Sequence, residues 1–115
     1  MKFKLIMVFV DQDRMEDVLN AARDVGATGA TVIHNAQGQG LRRHLTFFGL
    51  EFMGARSVVL ILAEESRSTA ILNSVTQAGR LDESLETGIA LELDVSRTRG
   101  LSEHIRELKK SPTNP

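Results

Sequence analysis

The residues best suited to chemistry are gathered in one stretch, AQGQGLRRHLTFFGLEFMGA, residues 36–55. Gly38-Gln39-Gly40 permits close approach of the backbone to a ligand, because glycine accepts conformations closed to other residues. Arg42, Arg43 and His44 follow as a basic cluster fit to contact an anion or a protein, although a short charge run is more often a solvated loop face. Phe47, Phe48 and Phe52 are three of the chain's five aromatic side chains, all of them Phe. With Leu50 and Met53 they make the segment too apolar for a freely solvated arm. They bury either against their own assembly or against a partner, which is docking chemistry.

Catalysis and metal binding have weaker support. His34, His44 and His104 show no i,i+4 or Cys/His ligand spacing, with or without Asp82, Glu83 and Glu86. No nucleophile stands beside a base, and no pair of carboxylates converges on one element. The absence of Cys removes thiolate and disulfide chemistry. Lys plus Arg is 14 against 15 for Asp plus Glu, so no basic field favours nucleic acid. The opening MKFKLIMVFVDQD is too short to span a bilayer and ends in acids without a cleavage site. A cytoplasmic protein that is not membrane-embedded is expected, and an enzyme is not.

The elements that must position these residues follow from hydrophobic periodicity. At 115 residues, 42% hydrophobic and 25% charged, the chain suits one globular domain, taken as residues 1–110 with 111–115 as a frayed tail. Lys2 to Val10 is apolar at almost every position after Lys4, as in a strand buried on both faces. Asp13 and Glu16 resemble a capping box, and Met15, Val18, Leu19, Ala22 and Val25 keep helical spacing until Gly26. A second strand spans Ala30 to Asn35, and a third, Ser57 to Ala63, is again continuously apolar. Glu65 and Ser66 open a second helix carrying Ile71, Leu72, Val75 and Ala78, ended by Gly79. Ile89, Leu91, Leu93 and Val95 alternate with polar or small residues, so the fourth strand has one wet side. A short tail helix carries Leu101, Ile105 and Leu108 on one side.

The two halves repeat. VFVDQDRMEDVLNAARDVG lies over ILAEESRSTAILNSVTQAG, with Gly26 and Gly79 in register. Two such halves make an α+β, ferredoxin-like β-α-β-β-α-β sandwich, with the first and third strands central and a long connection between the second and third. Helices cover only one face of that sheet, yet both central strands are apolar toward both faces. The uncovered face is expected to pack on further copies of the chain, in preference to the tail helix folding beneath it.

This order of elements resembles the P-II nitrogen-regulatory signalling proteins over about residues 2–96. The likeness rests on the KLIMVFV strand, GATGATVI after the first helix, the Gly-x-Gly at the base of the long connection, and GIALELDV. The resemblance implies a non-enzymatic homotrimer whose sheets face a common centre. It implies a small-molecule effector, such as ATP, ADP or AMP, in the cleft between subunits. Carried over residue by residue, the effector positions are Gly38, Gln39, Gly40, Arg56, Gly88, Arg97 and Arg99. The connection itself would be the T-loop, meeting a transporter or metabolic enzyme through Arg42, Arg43, Phe47, Phe48 and Phe52. The chain departs from the family pattern in LDESLETGI, where Asp82, Glu83 and Glu86 replace glycines and Ile89 takes the place of a phosphate-contacting lysine. Carboxylates there repel a polyphosphate. Two alternatives stay open: an effector-independent interaction module, and a metal-binding trimer of the copper-tolerance type.

Overall fold

A computed structural model describes residues 2–34, 45–47, 50–52, 56–82 and 88–110. The chain begins with β1 (Phe3–Asp11), a 3-10 turn (Gln12–Arg14) and α1 (Met15–Asp24). Then come β2 (Thr31–Ile33), β3 (Leu45–Phe47), β4 (Leu50–Phe52) and β5 (Arg56–Glu64). Helix α2 (Glu65–Ala78), strand β6 (Gly88–Asp94) and helix α3 (Ser102–Lys110) complete it. The main sheet has the order β2-β5-β1-β6 with antiparallel neighbours throughout. The two strands that read as apolar on both faces, β1 and β5, are therefore the central pair, as the ferredoxin-like pattern requires.

Alternation along the strands sorts their side chains onto two faces. Ile6, Val8 and Val10 of β1 and Val59, Ile61 and Ala63 of β5 form the core with Met15, Val18 and Ala22 of α1 and Ile71 and Val75 of α2. On the opposite face Phe3, Phe9 and Val58 are buried, and Leu5, Met7, Leu60, Leu62, Ile89 and Leu91 are half-buried. Ile33 and Leu93 remain 47% and 43% exposed. Leu108 of α3 is buried while Leu101 and Ile105 are half-buried, so the tail helix lies against the domain.

Three expectations need correction. The second strand is shorter than Ala30–Asn35, because Ala30 lies before the ladder and His34 is in a turn. The Asp13–Glu16 capping box does not form: Asp13 sits inside the 3-10 turn, and Arg14, in right-handed conformation, precedes α1 without a side-chain cap. The long connection is not loop throughout, since β3 and β4 pair as Leu45↔Phe52, Thr46↔Glu51 and Phe47↔Leu50. Gly79 does end α2 but is not the left-handed residue of its turn, as Gly26 is after α1.

The two helix ends show why. After α1, Gly26 adopts φ 107 while the amides of Gly26 and Ala27 donate to Arg23 and Ala22 carbonyls. This is a Schellman end with glycine in the left-handed position. After α2 the same pair of bonds runs from Arg80 to Gln77 and from Leu81 to Thr76. There the left-handed residue is Arg80, at φ 56, and Gly79 stays right-handed at φ -80. Space is tight at position 79: a Cβ would lie 3.0 Å from Leu81 Cδ2 and 3.2 Å from the Val75 carbonyl oxygen.

Candidate functional site

The C-terminal end of β1 organises the end of the sheet from which the 34–55 arm leaves. Asp11 stands opposite Arg56, where the chain returns from the arm into β5, and Val10 stands opposite Gly88, where it enters β6. Gly88 is buried at φ 126, and a Cβ on it would lie 1.9 Å from the Phe9 carbonyl oxygen. Leu81, buried in the core, anchors the start of the segment that leads to Gly88, with Asp82 exposed beside it. Arg56 and Gly88 thus flank the end of one strand.

Arg97 and Arg99 lie elsewhere. They are exposed and follow Asp94, which pairs with Lys4 at the opposite end of β1. Seven residues of β6 separate that end from Gly88, a span of roughly 20 Å at strand rise. Within one chain the two groups of candidate effector residues do not meet. Gly38, Gln39, Gly40, Arg42, Arg43 and Phe48 lie outside the described residues, and Phe47, Phe52 and Arg56 are placed only by their strands.

Several concavities lie among the described residues, including one of about 260 Å³ lined by Thr76, Gln77, Arg80 and Asp82. Another, about 350 Å³, runs along α1 and the turn into β2, lined by Leu19, Arg23, Ala27, Thr28, Gly29 and Val32 among others. A smaller, polar one of about 300 Å³ lies at the Asp94 end, bounded by Lys2, Lys4, Glu65, Asp94 and Ser96. There Lys4 donates to Asp94. That hydrogen bond raises the Lys4 ammonium above its ordinary value and lowers the Asp94 carboxyl below its own, with mutual charge attraction adding to both. Among the described residues no three His, Cys, Asp or Glu side chains group as a metal site, and no helix is long and apolar enough to cross a membrane.

Sequence reasoning passed over Arg14 and Arg67, which make the interhelical contacts at the two ends of the helix pair. Arg14 Nη1 donates to the Gly79 carbonyl at 2.9 Å, and Arg67 Nη1 to the Gly26 carbonyl at 3.0 Å. The signal was present in the repeat, where both arginines occupy the same place ahead of those glycines.

The architecture is a ferredoxin-like domain with a long arm between β2 and β5 and an apolar outer sheet face. The sequence profile described as "Nitrogen regulatory protein P-II" matches residues 3–101; the chain belongs to the P-II family and is a P-II-like regulatory protein. Among solved structures it is similar to the crystal structure of Arabidopsis thaliana PII bound to citrate, with a TM-score of 0.64 at 20% identity. That likeness covers 88% of this chain and 82% of the Arabidopsis chain. No curated protein sequence matches it significantly.

Proposed function

We infer that the chain is a cytoplasmic, non-enzymatic homotrimer that binds a small effector between subunits and a target protein through residues 36–55. The observation that carries this reading is family membership over residues 3–101. Geometry supports the intersubunit location. Arg56 and Gly88 sit at one end of the sheet, Arg97 and Arg99 beyond the other, so one compact ligand needs a neighbouring copy to reach both groups. The apolar outer face, with Ile33 and Leu93 exposed, is suited to that association.

The mechanism is a population shift. An effector bound next to Gly38-Gln39-Gly40 favours one arm conformation, and the target captures that conformation through the Phe-rich half. Adenine nucleotides are the leading effectors, with a transporter or metabolic enzyme as target. Calorimetry with ATP, ADP, AMP and citrate tests the first step, and a saturable heat with at least one of them is expected. Silence from all four, with the assembly intact, would leave the effector-independent module as the better reading. The acids at 82, 83 and 86 favour that second reading against a polyphosphate.

A further inference from the structure

The contacts of Arg14 and Arg67 are reciprocal. Each arginine belongs to one βα half, Arg14 just ahead of α1 and Arg67 in the first turn of α2, and bonds the carbonyl of the glycine that follows the helix of the other half. The arrangement has approximate twofold symmetry, matching the internal repeat. Ser74 Oγ, donating to the Ala21 carbonyl at 3.1 Å, adds a third tie partway along the same helix pair. A helix C-terminus carries unpaired carbonyls and partial negative charge, so a guanidinium is the appropriate partner.

The two clamps serve different ends of the molecule. Arg67 is buried, ion-paired with Glu64 at 3.7 Å, and holds the turn into the Ala27–Ala30 groove. Arg14 is at the arm end. The carbonyl it holds belongs to Gly79, immediately before Arg80 in its left-handed conformation and Leu81 in the core. From there the chain runs to Gly88, which rests on the carbonyl of Phe9. The Phe9–Arg14 stretch therefore meets the chain at two described points, Gly79 through a guanidinium and Gly88 through close packing.

We propose that Arg14 is a positioning residue that holds the Gly79–Leu81 turn at the end of α2, and so sets the placement of Gly88 toward the effector. The consequence for the effector rests on the reading under Proposed function, whereas the clamp does not. Arg67 is its built-in control, with the same chemistry at the other end of the helix pair.

Hydrogen exchange on the full-length protein separates the two. Arg14→Gln is expected to speed exchange of the Arg80 and Leu81 amides about tenfold and to leave those of Gly26 and Ala27 unchanged. Arg67→Gln gives the converse. Equal acceleration at both turns in either variant, or none at the variant's own turn, overturns the clamp. With ATP as calorimetric probe, Arg14→Gln weakens binding about tenfold and Arg67→Gln leaves it as in wild type. Unchanged ATP affinity in Arg14→Gln, where wild type binds, overturns the positioning role. A wild type that gives no heat with ATP sinks nucleotide sensing instead, and the exchange data then decide the clamp by themselves.

Discussion

A methyl group at position 88 would lie 1.9 Å from the carbonyl oxygen of Phe9, far inside van der Waals contact. The φ of 126 adds conformational strain for any L side chain. Gly88→Ala should therefore cost roughly 3 kcal/mol or more in urea denaturation, or prevent folding. Gly29→Ala is the contrast: nothing lies within 4 Å of its Cβ position, and a change within about 0.5 kcal/mol is expected. A mild Gly88→Ala would show that the β1–β6 contact yields more easily than this geometry allows. Gly88 was legible in the sequence as a position of the family pattern. Its structural reason was not, because the obstructing carbonyl comes from a strand far away in the chain. Arg80 was illegible for a related reason. Local rules place a helix stop at Gly79, whereas the left-handed residue is Arg80, with Leu81 buried in the core just after it.

At the scale of elements, that displacement can be tested. Arg80→Gly relieves a left-handed non-glycine residue and is expected to stabilise the protein by about 0.5–1 kcal/mol, read as a melting temperature higher by a few degrees. A lower melting temperature would mean that the arginine's side-chain interactions outweigh its backbone strain. The β1–β6 pairing offers a second test through Lys4 and Asp94. Asp94 titrates below its ordinary 3.8 when folded, so its contribution is complete above that value and is lost as the pH falls through the lowered one. Lys4 titrates above its ordinary 10.5, so its contribution is complete below that value and is lost as the pH rises through the raised one. The stability difference between wild type and Asp94→Asn should be constant from about pH 5 to 9 and vanish at both extremes. It should be small and shrink with salt, because Asp94 is exposed. A difference that grows on acidification would exclude the pair as its source. The sheet order was readable because two-faced apolar strands must be central. The β3–β4 ladder escaped because its phenylalanines read as one apolar cluster instead of as two short alternating runs either side of Phe48-Gly49.

For the whole molecule, the outer sheet face decides whether the chain exists alone. Sedimentation equilibrium at micromolar concentration should report three copies. Met7→Glu with Leu91→Glu, opposite each other in the β1–β6 register, should yield monomer by placing carboxylates on that face. A wild-type monomer would remove the trimer and, with it, the intersubunit effector cleft. The sequence announced this face through strands apolar in both directions. It also separated Gly88 from Arg97 and Arg99, since one continuous strand, β6, lies between them.

The arm has a further consequence, for how freely the chain can change. β1 and β5 are paired along their whole length, while β3 and β4, between Ile33 and Arg56, form a two-stranded sheet of their own. The closure entropy of such a loop grows only logarithmically, by about 0.6 kcal/mol for each doubling of its length. Insertions and deletions between 34 and 55 are therefore nearly neutral to folding, while substitutions at Phe9 or Gly88 are not. Selection can rewrite what the arm meets without renegotiating the domain that presents it.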